Sequence, residues 1–110
     1  MQLNEYHELA LRTSRGELSS DEHLLNGCLG LAGEAGECCD LLKKRKYQDG
    51  REIKEQMIDE LGDVLWYVSE AAAAIGVWLD DIAQHNIEKL QKRYPKGFDP
   101  ERSLHREEGS

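Results

Sequence analysis

Proline is missing from this chain until Pro95, and only two prolines occur in 110 residues. Without that breaker, long helices can run uninterrupted through most of the sequence. Segments that alternate apolar and polar residues are few, which leaves little for a sheet. Long apolar runs are missing as well. No segment is expected to span a membrane, and no signal peptide is read at the start. Cysteine is scarce: Cys28, Cys38 and Cys39 are odd in number and lack a CxxC spacing. That argues against zinc and predicts small buried thiols in a reducing cytoplasm. Positive charge is also in short supply, with 14 Lys and Arg against 22 Asp and Glu and a net charge of −8. A stable grip on nucleic acid or on an anionic membrane needs a basic face, so both are disfavoured as partners. The balance suits a protein that collects cations.

What is present reads as helices in a single domain spanning residues 1–110, helical over 4–94 with an irregular tail over 95–110. The first helix is expected from about Asn4 to Thr13, with Leu3, Tyr6, Ala10 and Leu11 inward. Ser19 and Glu22 form a capping box that opens a second helix running to about Tyr47. Its inward stripe is Leu24, Cys28, Leu31, Ala35, Cys38 and Leu42. Gly27, Gly30, Gly33 and Gly36 interrupt it, each costing about 1 kcal/mol relative to alanine in a helix interior. They predict a close helix crossing or room for a ligand. Asp49-Gly50 is a turn signal, and Asp49 with Glu52 is expected to cap a third helix from about Arg51 to Ile75. That helix is apolar nearly all round, which one small chain cannot cover, so a homo-oligomer is expected. Its polar stripe is Gln56, Glu60, Asp63, Tyr67 and Glu70. Gly76 is expected to end it. A fourth helix follows from about Leu79 to Tyr94, with Leu79, Ile82, Ala83, Ile87 and Leu90 inward. His7, His23, His85 and His105 are scattered and read as surface or capping residues.

Two acidic pairs stand out: Glu34 with Glu37, and Glu60 with Asp63. Each pair has i, i+3 spacing, which places both carboxylates on one helix face. The first pair sits among glycines and alanines, and the second interrupts an apolar helix. Carboxylates in such surroundings need partners. A groove shared by both pairs would suit Mg²⁺, a hard cation that favours carboxylate, water and phosphate oxygens; Mn²⁺ is also compatible. Di-iron bundles instead carry ExxH motifs, which neither pair has. On the fourth helix Asn86, Lys89 and Arg93 share one stripe, and the two cations could hold phosphate oxygens.

These residues resemble the MazG-like, all-α nucleoside triphosphate pyrophosphohydrolases. The match rests on Glu34-x-x-Glu37 in GLAGEAGE and on Glu60-x-x-Asp63 in DELGDVLWYV. Asn86-Ile-Glu-Lys89, Arg93 and KRYPKGF complete it, over roughly residues 20 to 100. The resemblance implies a four-helix bundle-like protomer in a dimer or tetramer. It implies Mg²⁺-dependent hydrolysis of an NTP or dNTP to the monophosphate and pyrophosphate, in the manner of nucleotide-pool house-cleaning. Glu34, Glu37, Glu60 and Asp63 would then hold the metal, and one of the glutamates would orient or deprotonate the water. Lys89 and Arg93 would neutralise phosphates, while Asn86 and Asn26 would contact substrate. Trp66, Tyr67, Trp78 and Phe98 are candidates for the base. The competing reading is a non-catalytic helical oligomerisation module with an acidic ion-binding groove. A third keeps the fold but takes a phosphoribosyl-ATP-like or other pyrophosphate-bearing metabolite.

Overall fold

The computed structural model describes residues 1–46, 52–98 and 100–101. Among these the protein is all-α: α1 (Leu3–Leu11), α2 (Ser20–Lys44), α3 (Lys54–Ala74) and α4 (Leu79–Arg93), with no strand. The described residues fall into two compact units, one over Met1–Leu79 and one that starts at Asp80.

In the first unit, α2 begins where the capping box was read. The Glu22 N–H donates to Ser19 Oγ at 3.2 Å, and the Ser19 N–H donates to the Glu22 carboxylate at 3.1 Å. Such a cap is worth about 1 kcal/mol. The start of α3 differs from expectation in part. Asp49 lies outside the described residues, and the helix opens after a buried Ile53. Glu52 accepts from the Lys54 N–H at 2.8 Å. The end of α3 is a Schellman turn. The Val77 N–H reaches back to Ala72 O, the Gly76 N–H reaches Ala73 O, and Gly76 takes φ 78°, which a side chain would resist.

Helices α2 and α3 pack as an antiparallel pair, and two glycines decide how closely. A Cβ on Gly27 would lie 3.0–3.2 Å from the backbone and Cβ of Ala71, so the helices touch almost backbone to backbone there. Beside it, the Tyr67 ring lies over Gly30 in the space a side chain would fill. Gly33 and Gly36 face open space. The same kind of residue thus serves the close crossing at one end of the pair and leaves room at the other.

Helix α1 is tied to α3 by polar contacts. The Leu79 N–H donates to His7 Nδ1 at 3.0 Å, so the ring proton is on Nε2, which donates to Ser69 O at 3.1 Å. His7 is 1% exposed and meets Trp78 edge-on, correcting its reading as a surface residue. Helical period alone does not show which polar side chain satisfies buried backbone groups. Trp66 Nε1–H donates to Thr13 Oγ1 at 2.7 Å and to Ala10 O at 3.2 Å, fixing the end of α1.

The apolar core of the single chain is small. Ala10, Ile53, Ala72 and Leu79 are buried, while Leu25, Leu29, Ile58 and Leu61 are each more than half exposed. Cys28 and Cys39 are exposed, contrary to the expectation of buried thiols, because the α2 stripe that carries Cys28 is only partly covered by α3. In the second unit, Tyr94 and Phe98 pack ring to ring at 5.6 Å around a turn in which Gly97 takes φ 90°. On α4, Ile82, Ile87 and Leu90 are 38–48% exposed rather than buried.

Candidate metal centre

The antiparallel packing of α2 and α3 sets the site. Moving down α2 from Gly27 to Gly30 matches moving up α3 from Ala71 to Tyr67. Continuing by the same register brings Glu34 and Glu37 to Glu60 and Asp63. Carboxylate oxygens of Glu34, Glu37 and Glu60 lie within 4.8 Å of one another. Asp63 is not in that group. It lines, with Glu34, Trp66 and Tyr67, an adjoining cavity of about 350 Å³. Both acidic pairs therefore face one groove between the two helices.

The electrostatics there are unfavourable while all three carboxylates are ionised and nothing neutralises them. Oε2 of Glu34 and Oε2 of Glu60 are buried, and neither finds a donor among the described residues. Ionised carboxylates only accept hydrogen bonds, so they cannot satisfy one another. One remedy is a shared proton. Glu37 is raised above the ordinary carboxylate range, first by the hydrogen bond shared with Glu60 and then by repulsion from its charge. Glu60 is raised chiefly by the hydrogen bond shared with Glu34. The other remedy is a hard cation, which would take up the orphaned oxygens directly. The all-oxygen donor set and the unsatisfied buried atoms fit such an ion. Cys38, half-buried on α2, is also raised, mainly by burial and next by the Glu60 charge.

The remaining sequence candidates fall into two groups. Trp66 and Tyr67 wall the cavity and meet edge to face at 5.1 Å, at 88°. Trp78 packs on His7, and Phe98 on Tyr94. Asn86, Lys89 and Arg93 lie on α4 in the second unit; Asn86 is exposed and the two cations are part-buried. Asn26 does not line the cavity. Its Nδ2 donates to both oxygens of Glu70, at 2.9 and 3.1 Å. His23 Nδ1 also meets Glu70 Oε1, at 3.0 Å. Glu70 is 3% exposed. In the sequence it is one member of the polar stripe of α3, with no role of its own expected. The available signal was its seven-residue step from Asp63, which returns it to the same helix face.

An all-α protein with an acidic cluster between two helices, whose oxygens could hold a metal ion, is the class that this fold and site define. The model of the MazG nucleotide pyrophosphohydrolase domain matches residues 23–98, and the chain belongs to that family. The match spans both acidic pairs and the Asn86, Lys89 and Arg93 stripe. It leaves out α1, whose contacts hold Trp66 and the end of α3. Among curated proteins, the Gene 37 protein of Mycobacterium phage L5 is 38% identical over 94 residues, covering 82% of this chain and 82% of that protein. Its name states no activity. No solved structure matches the chain.

Proposed function

We propose that the protein hydrolyses nucleoside or deoxynucleoside triphosphates to the monophosphate and pyrophosphate with Mg²⁺, clearing unwanted nucleotides from the cytoplasmic pool. The observation that carries this reading is the convergence of Glu34, Glu37 and Glu60 with two buried oxygens left without donors, in a chain of this family. Glu34, Glu37, Glu60 and Asp63 would hold the ion. When bound, the ion offsets polyphosphate charge and makes a coordinated water more acidic.

The chain's own groups do the rest. The water oxygen bonds to the α-phosphorus, the bond to the α–β bridging oxygen breaks, and pyrophosphate leaves with that oxygen. The proton released by the water passes to a carboxylate of the cluster, where Glu37 is the most exposed acceptor. Lys89 and Arg93 would hold the phosphates and Asn86 a polar substrate group, while Trp66 and Tyr67 would wall the nucleoside side of the cavity. Large apolar side chains left exposed along α2 and α3 support assembly as a dimer or tetramer, since an isolated chain rarely leaves so many uncovered.

Pyrophosphate release from a panel of NTPs, dNTPs and phosphoribosyl-linked triphosphates, with Mg²⁺ and with chelator, tests the reading. Turnover of a base-bearing triphosphate that stops with chelator is expected. Absence of turnover across the panel would leave the acidic groove as an ion-binding module. Arg93→Ala is expected to raise KM by about tenfold or more, through loss of charge-assisted phosphate contacts. Sedimentation at micromolar concentration checks the assembly, which a mass of one chain would refute.

A further inference from the structure

We infer that Glu70, gripped by His23 and Asn26, is a register clamp that sets the alignment of α2 against α3 on which the cation cluster depends. The inference rests on the cation reading of the cluster. Glu34, Glu37 and Glu60 bring carboxylate oxygens within 4.8 Å of one another, and repulsion between those that are ionised works against close approach of the two helices at that end. At the crossing, Gly27 and Ala71 allow close approach but have no side chain long enough to resist sliding or rotation.

The clamp lies just beyond that crossing. Glu70 accepts two contacts from Asn26 Nδ2, at 2.9 and 3.1 Å, and one at 3.0 Å from His23 Nδ1. A carboxylate only accepts, so His23 Nδ1 carries the proton. These bonds are directional where the Gly–Ala contact is not. A slip of one residue along either helix is a shift of about 1.5 Å and a turn of about 100°. It would break all three bonds and carry Glu60 and Asp63 away from Glu34 and Glu37. Metal ligands tolerate about 0.5 Å of misplacement.

An apolar residue at position 70 would satisfy burial at least as well. Replacing a buried ionic group by a well-packed apolar one is commonly neutral or stabilising. Stability therefore gives no reason for an acid here, whereas register does. Asn26 accordingly takes a positioning role in place of the substrate contact expected from the sequence, since its amide nitrogen is occupied by Glu70. His23, Asn26 and Glu70 act through the cluster and do not touch the reacting atoms.

The test is Mn²⁺ titration of the nucleotide-free protein, followed by electron paramagnetic resonance, with helix content, thermal melting, kcat and KM measured alongside. Glu70→Leu is expected to keep its helix content and melt at or above the wild type, yet to bind Mn²⁺ at least about tenfold more weakly. Glu70→Gln keeps the shape and an accepting oxygen, and is expected to restore affinity to within about threefold of wild type. Wild-type Mn²⁺ affinity in Glu70→Leu overturns the clamp. Should Glu70→Leu fail to fold, Asn26→Ala, an exposed position that removes two of the three bonds, is read in the same way. Wild-type protein that binds Mn²⁺ but hydrolyses no nucleotide would refute the proposed activity and leave the clamp to be judged by the variants. Turnover in the wild type with unchanged Mn²⁺ binding in Glu70→Leu and Asn26→Ala would refute the clamp alone. Wild-type protein that binds no Mn²⁺ overturns both.

Discussion

The two ends of the α2–α3 pair treat the same chemical group in opposite ways. At one end a single carboxylate, Glu70, is 3% exposed and receives three contacts from His23 and Asn26. At the other, Glu34, Glu37 and Glu60 crowd together, and two of their buried oxygens have no donor among the described residues. The first arrangement is complete within the protein. The second asks for something from outside it. A buried acid surrounded by donors holds a structure together; several acids without donors define a place for a cation. The glycines follow the same division. Gly27 and Gly30 are filled by α3, while Gly33 and Gly36 are open.

The sharpest way to break this contrast is Glu60→Gln. If the open end is the metal centre, removing one charge and one hard ligand should lower turnover on the order of a thousandfold, with helix content unchanged. Turnover near wild type would show that the crowded carboxylates are not the working site.

The closed end is probed by Gly27→Val. A Cβ at this position already meets Ala71 at 3.0–3.2 Å, and the backbone there cannot move aside cheaply. The expected loss is about 1–3 kcal/mol in chemical denaturation. Gly33→Ala should do the reverse, since nothing lies within 4 Å of its added carbon. A gain of up to about 1 kcal/mol is expected from helix propensity. Equal effects at the two positions would erase the distinction between the packed and open halves. A gain in stability with a fall in turnover at Gly33 would sharpen it, by placing substrate against that face.

The smallest expected effect is in the pH dependence of the metal-free protein. Glu37 and Glu60 are raised in the folded state by hydrogen bonds and repulsion within the cluster. The folded chain therefore holds these protons more tightly than the unfolded one. Their contribution to stability is fully present below the ordinary carboxylate value and is lost as pH rises through the raised values. Melting of the metal-free wild type relative to Glu37→Gln should fall by a few degrees, about 1–3 °C, across that window. Saturating Mg²⁺ should remove the difference. A wild-type curve parallel to that of the variant would mean the carboxylates are further apart in solution.

Much of the fold is legible in the amino-acid sequence. The missing prolines and the apolar periods gave four helices with ends within a few residues of those observed. The Ser19–Glu22 box and the Gly76 stop are local devices, and local chemistry is legible because it depends only on neighbours in sequence. The candidate metal ligands were named from i, i+3 spacing and resemblance. The roles of His7, His23 and Glu70 were not legible. Each is defined by a partner 44 to 72 residues away, and polarity plus period reads such residues as surface.

The sequence by itself determined which faces of the helices carry acid, because the α-helical period converts spacing into direction. It determined the helices' existence and most of their ends for the same local reasons. Tertiary packing decided which acids meet donors and which meet one another. That depends on the register of two antiparallel helices, which a glycine against an alanine lets approach closely and which, by our inference, three hydrogen bonds to one buried carboxylate align. Register is a relation between segments distant in sequence, so no period within either segment encodes it.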